Sequence, residues 1–302
     1  MTGKIWSYIY LVLAAAMWGG MFVVSKQTLN FLSPFVLLWF RLLVGLIFLI
    51  PPFLLKRERV SLKDSFIMVG LGFSGYFISY GSAFLGTKLS TAHLASLISA
   101  SAPIFTIILA YWFLKETLTT KKILSITLAT LGVLLVIGFE KGGQGTSLLG
   151  NIMLIISALS WGIYNVFVKK VASKYSSLTI TVYTTGFAFA MMTPVMLVTW
   201  NHQDSIYLQQ LNTWLSIVYL GLFGTAIAFV LWNRGMESLE ASVGSMFYFF
   251  TPVTGSLFGW LILGENLFWN FYLGGIIIFL GTLVAITPQR KNFSKIAKAP
   301  SI

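Results

Sequence analysis

Residues 92–116 read AHLASLISASAPIFTIILAYWFLKE, and residues 241–265 read ASVGSMFYFFTPVTGSLFGWLILGE. Ala92, Pro103 and Glu116 return 149 positions later as Ala241, Pro252 and Glu265. Gly86 and Gly235 keep that spacing, as do Gly132 and Gly281. A second register, 143 residues long, links Trp18-Gly19 to Trp161-Gly162, Lys26 to Lys169 and Ser33 to Ser176. The six-residue difference requires an insertion in the second copy between Ser176 and Gly235. The chain therefore divides into two related halves, 1–143 and 144–290, followed by a basic tail at 291–302.

Both copies are almost wholly apolar, and so is the rest of the chain. Hydrophobic residues make up 57% of the sequence and charged residues 9%, whereas soluble domains carry roughly 25% charged residues. Such a surface needs lipid as its solvent. Ten apolar spans can be drawn, near 7–26, 34–54, 65–86, 91–113, 122–139, 147–168, 178–200, 213–233, 241–262 and 268–287. They are too long for barrel strands, and a bilayer offers the backbone no partner, so helices are required. Lys4, the apolar run after it and Ala14-Ala15-Ala16 imitate a secretion signal. Cleavage there would strip Trp18-Gly19 from its partner motif, so 7–26 reads as a retained span.

Charge placement sets the orientation. With a cytoplasmic N-terminus, 16 of the 20 Lys and Arg residues fall inside, only Lys26, Lys88 and Lys141 fall outside, and Arg41 lies within a span. Both termini are expected in the cytoplasm of a plasma-membrane protein. Five spans per half is an odd number, so the second half is expected to be inverted. The expected fold is an all-α integral membrane protein, ten transmembrane helices in two inverted five-helix repeats. The net charge of +12 reads as this topology signal and not as nucleic-acid binding. With no cysteine and two histidines, neither a disulfide nor a metal site is expected, and no cofactor.

Trp18-Gly19, Phe40-Arg41 and the Ala92–Pro103–Glu116 stretch resemble the EamA repeat of the drug/metabolite transporter superfamily. Trp161-Gly162, Trp232-Asn233-Arg234 and Ala241–Pro252–Glu265 resemble it again, so the likeness covers about 1–290. It implies a ten-helix transporter, often an exporter of amino acids or related metabolites.

Arg41 is the charged residue set well inside a span. It lies seven residues past Pro34, about 11 Å of helical rise into a core roughly 30 Å thick. Burying it costs about 2.5–3.5 kcal/mol. No acidic residue lies at its depth, so a substrate carboxylate or backbone carbonyls are its candidate partners. Asn165 stands one turn beyond Trp161 on the same helix face, where an unpaired amide is costly. Arg41, Trp18, Trp161, Asn165, Tyr80 and Tyr183 are the expected cavity lining, with Trp232, Tyr248 and His93 as further binding candidates. Histidine is the side chain whose ordinary charge change falls near neutral pH, although a lone histidine at a span start is more often an interfacial hydrogen-bonder. Pro103 and Pro252, read as mid-span kinks, are candidate hinges. Glu116 and Glu265 end their spans and are candidate gates, with Lys121 or a helix N-terminus expected to hold Glu116.

These features point to a secondary transporter or facilitator for amino acids or small polar metabolites, exporting by alternating access around a central cavity. Its partners are a small-molecule substrate and the bilayer, as a monomer or homodimer. The absence of a deep Asp or Glu disfavours a multidrug-cation exporter, and a nucleotide-sugar carrier remains a further alternative. An enzyme is not expected. Asp64, Glu116, Glu237, Glu240 and His93 form no catalytic set for an intramembrane lipid-modifying transferase, and no phosphate-binding loop occurs. A receptor or assembly factor would expose a docking domain, which the sequence lacks.

Overall fold

A computed structural model describes residues 2–56, 58–89, 95, 98–137, 147–263 and 269–287. His93, Glu265 and the 291–302 tail lie outside the described residues. Among those described, the regular structure is helical and no strand occurs. The helices are α1 (Thr2–Leu29), α2 (Pro34–Lys56), α3 (Leu62–Leu89), α4 (Ala102–Phe113), α5 (Thr120–Ile137) and α6 (Leu148–Ala172). There follow α7 (Ser177–Thr199), a short α8 (His202–Tyr207), α9 (Leu211–Glu237), α10 (Ala241–Ser245), α11 (Phe250–Leu263) and α12 (Trp269–Ile286).

Seven of these are long and apolar enough to cross a membrane: α1 from Lys4, α2, α3, α6, α7, α9 and α12. Of the remaining expected spans, 91–113 contributes the shorter apolar α4 among the described residues, and 122–139 contributes α5. The 241–262 span is broken into α10, a 3-10 turn over Met246–Phe249, and α11. Pro252 explains the break. Its ring excludes the carbonyl four residues back, that of Tyr248, from helical bonding. Pro103 likewise sits in the first turn of α4, after a turn closed by Ser101 N to Ile98 O. The first turn of α4 thus holds Pro103, and that of α11 holds Pro252, just after the 3-10 turn that interrupts the helical run 241–263. At the first turn their missing N–H is one that no intrahelical carbonyl would have met.

The packing repeats itself across the chain. A Cβ at Gly86 on α3 would lie 2.7 Å from Leu154 and 2.9 Å from the Gly150 carbonyl oxygen on α6. Gly235 on α9 meets Leu11 and the Ser7 carbonyl on α1, and those two residues stand 143 before Leu154 and Gly150. Gly132 on α5 abuts Gly274 and Ile278 on α12, while Gly281 on α12 abuts Ser125 and Ala129 on α5. Small residues permit this close approach where lipid supplies no hydrophobic drive between helices.

Polar contacts repeat in the same way. Ser33, ahead of α2, donates its N–H and hydroxyl to Asp204, just past α7, at 2.7 and 2.9 Å. Ser176, the N-cap of α7, donates its N–H and hydroxyl to Glu58, just past α2, at 3.1 and 2.6 Å. Each helix is capped by the carboxylate that follows the other, so α2 and α7 run antiparallel. Lys26 donates to the Thr87 carbonyl at 3.1 Å, and Lys169 to the Met236 carbonyl at 2.6 Å. Thr87 and Met236 are again 149 apart.

Both α3 and α9 widen to a π-helix midway, over Gly72–Ile78 and Leu222–Ile227. A π segment leaves local carbonyls free for other donors and often marks a functional position. The two segments overlap under the 149-residue shift, and each reaches the same buried aromatic cluster, Tyr76 by stacking on Phe229 and Gly224 by accepting from Trp18.

Candidate functional site

Arg41 on α2 is 1% exposed. Its Nε donates to Thr225 Oγ1 at 2.7 Å, and its Nη2 to the Gly224 carbonyl at 2.9 Å. Both acceptors lie in the π segment of α9. The guanidinium carbon stands 4.0 Å over the Tyr80 ring and 5.8 Å from that of Phe84. Nη1 has no hydrogen-bond partner. Sequence reasoning offered a substrate carboxylate or backbone carbonyls as partners. The structure provides one carbonyl, one hydroxyl and an aromatic face, and leaves one nitrogen free.

Trp18 shares the same acceptor, donating Nε1 to Gly224 O at 2.9 Å. Its ring meets Trp161 edge-on at 5.2 Å, Trp232 at 5.1 Å and Tyr248 at 5.9 Å. Trp161 stacks on Tyr164 at 5.0 Å, and its own Nε1 has no partner. Such ring pairs add about 0.5–1.5 kcal/mol each beyond the area they bury, which suits a rigid wall.

Asn165 is bonded at both its amide nitrogen and its amide oxygen. Its carbonyl accepts Trp232 Nε1 at 2.9 Å and its amide donates to Thr106 Oγ1 at 3.3 Å. Beside it, Tyr164 donates to Asn233 Oδ1 at 2.8 Å, and Asn233 donates to Thr181 Oγ1 at 3.0 Å. These chains tie α4, α6, α7 and α9 together behind the aromatic wall.

The structure thus brings together Arg41, Trp18, Tyr80, Trp161, Trp232, Tyr248 and Asn165. Tyr183 stands apart, with its ring against Phe53 and Phe187. Two partners escaped the sequence reading, Thr225 and Gly224. An isolated threonine or glycine in an apolar span carries no local signal, and only the π segment turns them toward Arg41.

A narrow cavity adjoins this cluster, lined by Tyr80, Phe84, Ser99, Trp161 and Tyr248 and reaching Ser25 and Thr87 beside Lys26. It encloses about 20 Å³, room for one water molecule. A second, wider cavity of about 300 Å³ lies among Lys4, Tyr8, Lys121, Lys122 and Glu240.

Glu116 lies beside the wider cavity, against Lys122 of its lining. Its carboxylate accepts the backbone N–H groups of Ala241 at 2.6 Å and Ser242 at 3.1 Å, and also the Ser242 hydroxyl. Lys122 pairs with it at 3.6 Å and with Glu240 at 2.5 Å. The helix start that holds Glu116 is that of the second repeat's own motif, and the ion-pair partner is Lys122 where Lys121 was expected. Among the described residues no cluster of three His, Asp or Glu side chains could hold a metal.

A bundle of long apolar helices around a buried polar-aromatic cluster defines a multi-pass membrane protein. Residues 5–138 and 148–287 each match the EamA-like transporter family, and the chain belongs to it. An uncharacterized transporter of Archaeoglobus fulgidus is 28% identical over 281 residues, 92% of this chain and 98% of that protein. The uncharacterized transporter YoaV of Bacillus subtilis is 28% identical over 284 residues, covering 90% and 93% respectively. A solved crystal structure shares the fold with a TM-score of 0.77 at 20% identity, over 93% of this chain and 96% of that one.

Proposed function

We propose that this protein is a secondary carrier of the drug/metabolite transporter superfamily in the plasma membrane, with both termini cytoplasmic. In this reading it has ten helices in two inverted repeats, 1–143 and 144–290, followed by the tail 291–302. Its substrates are amino acids or small polar metabolites, moved outward by alternating access. Arg41, Tyr80, Trp161 and Tyr248 contact the substrate, and Trp18, Trp232 and Asn165 hold those walls in place. Glu116 acts as the inner gate.

One observation carries this reading. The two halves pack on each other through contacts that map onto one another under the same 143- and 149-residue shifts. Two such halves have two equivalent ways to separate, one opening each face. The enclosed 20 Å³ cavity fits a closed state, because no amino acid enters it until the walls part. The wider cavity at Lys4 and Lys122 supplies an approach from the cytoplasm, and the Glu116 contacts must open for it to reach the Trp18 cluster.

Counter-flow in proteoliposomes tests the reading. A carrier exchanges labelled for unlabelled substrate with no energy source. Arg41→Ala and Asn165→Ala should each abolish or strongly reduce exchange. Unchanged transport of every accepted substrate in both variants would refute the site assignment, and absence of exchange for any amino acid or metabolite would refute the carrier itself.

A further inference from the structure

We propose that the group recognised at Arg41 is a single carboxylate, and that the ligand is an organic monocarboxylate with an apolar body whose amino group is dispensable. This rests on the reading of the Arg41 cluster as the transport site, and it narrows that site's chemistry.

The first argument is the unfilled valence of Arg41. Nε and Nη2 are spent on Thr225 and Gly224, which fixes the plane of the guanidinium. Nη1 stays buried without an acceptor. A guanidinium nitrogen can only donate, so the missing group is an acceptor. A buried cation without an anion is costly, so the acceptor that relieves it best is charged. Charge-assisted bonds of this kind are also roughly twice as strong as neutral ones.

The second argument is the surplus of donors beside it. Ser99 Oγ and Trp161 Nε1 are likewise buried without partners, and both line the narrow cavity. The wall therefore offers unpaired donors at two points, of which the indole can only donate and the Ser99 hydroxyl can also accept.

The third argument is the lack of any group to hold an ammonium. The chain has eight Asp and Glu residues. Among the described residues none lines the narrow cavity. Glu116 is committed to Ala241 and Ser242, Asp204 to Ser33, and Glu58 to Ser176. An amine there would meet aromatic faces, worth about 0.5–2 kcal/mol, and neutral hydroxyls, with no anion among the described lining residues. One fixed positive charge is neutralised by one negative charge, so a dicarboxylate would leave an unpaired anion in a desolvated site. Met21, Phe22 and Phe84, also in the wall, suit an apolar body.

The test uses the purified full-length protein and four phenyl probes of matched size. These are 3-phenylpropanoate, phenylalanine, 3-phenylpropan-1-amine and 3-phenylpropan-1-ol, with butanoate and benzoate added to vary the body. At ten times its Kd a ligand should raise Tm by roughly 2–4 °C. The carboxylates should do so with or without the amino group, and the amine and alcohol should not. Arg41→Gln should lose the shift. Arg41→Lys should keep part of it, and elution of both variants as a single species would show that they remain folded. Ser99→Ala, which removes only one donor from the wall, should weaken the shift without abolishing it. The inference is overturned if no carboxylate raises Tm, if the shift survives in Arg41→Gln, or if the amine or alcohol works as well. Counter-flow of the same probes separates the two readings. Arg41-dependent stabilisation without exchange would sink the carrier and spare the carboxylate site. Exchange of the amine or alcohol at the rate of the acid would do the opposite.

Discussion

Asp204 and Glu58 occupy equivalent places in the two halves, yet their removal should cost different amounts. Asp204 is fully buried and accepts three bonds, from Ser33 N at 2.7 Å, Ser33 Oγ at 2.9 Å and Asn201 N at 3.0 Å. Bonds to a buried charged group contribute about 1.5–3 kcal/mol each, net of the bonds to water they replace. Asn201 is exposed and Ser33 half-buried, so water recovers part of that sum, and Asp204→Ala should destabilise by about 2–4 kcal/mol. Glu58 also accepts three bonds, from Ser176 N, Ser176 Oγ and Thr179 Oγ1. It is itself only half-buried, and screening should hold Glu58→Ala to about 1 kcal/mol. Unfolding in mixed micelles, titrated with SDS and followed by tryptophan fluorescence, measures both. A double-mutant cycle of Asp204→Ala with Ser33→Ala should show a coupling of about 1 kcal/mol. Equal losses for the two carboxylates, or a loss below about 0.5 kcal/mol for Asp204→Ala, would refute the reasoning that burial sets the strength of each cross-cap.

Glu58 also makes stability depend on pH. Burial pushes its carboxyl up, but the Ser176 and Thr179 bonds and the charge of Lys56 outweigh that and hold it below its ordinary value. A depressed carboxyl contributes fully above its unfolded value, about 4.3, and loses the contribution as pH falls through the folded value. The stability gap between wild type and Glu58→Gln should therefore be constant from pH 7 to about 5 and close below about pH 4; a gap that widens on acidification contradicts this. Thr225→Val keeps the shape of α9 but strips Arg41 Nε of its acceptor. It should cost about 1.5–3 kcal/mol and lower exchange of substrate, with Thr225→Ser restoring most of both. Gly86→Leu and Gly235→Leu should both disrupt folding, because each places a side chain within 3 Å of the facing helix; normal expression and melting of either would contradict the reciprocal packing.

Much of the helix layout was legible in the sequence because bilayer burial imposes length and apolarity on every span. The repeat markers Ser33, Ser176, Lys26 and Lys169 were legible as spacing, but their chemistry was not. Ser33 and Ser176 prove to bind carboxylates of the other half, while Lys26 and Lys169 each reach a carbonyl within their own, and contacts across 61 to 171 residues leave no trace in local pattern. The carboxylates Glu58 and Asp204 sit in connecting segments and follow no shared register, so they looked like ordinary loop charges. Pro103 and Pro252 were legible as breaks. Their place in first turns was not, because an apolar run reads the same on either side of a helix start. At the site, Arg41 announced itself by charge and Trp18 and Trp161 by repetition. Tyr183 passed the same tests and packs elsewhere, since polarity on an aromatic ring does not say which face of α7 turns inward.

Duplication also explains why the site's charge stands alone. Under the 143-residue shift Arg41 corresponds to Thr184, whose hydroxyl bonds back to the Ile180 carbonyl at 2.7 Å. Under the 149-residue shift Thr225 corresponds to Tyr76, and Tyr80 to Phe229. Where one half sets a guanidinium over Tyr80, the other stacks Tyr76 on Phe229 at 4.0 Å. A strictly symmetric pair would have brought two guanidinium groups into one desolvated cluster, and two like charges there repel each other and double the burial cost. A single arginine avoids that and gives the centre a polar side and an aromatic side. In the proposed carrier the helices would exchange equivalent contacts when the halves rock, while a ligand bound to Arg41 would keep one orientation. On that proposal the frame's symmetry serves movement, and the departure from symmetry at position 41 serves recognition.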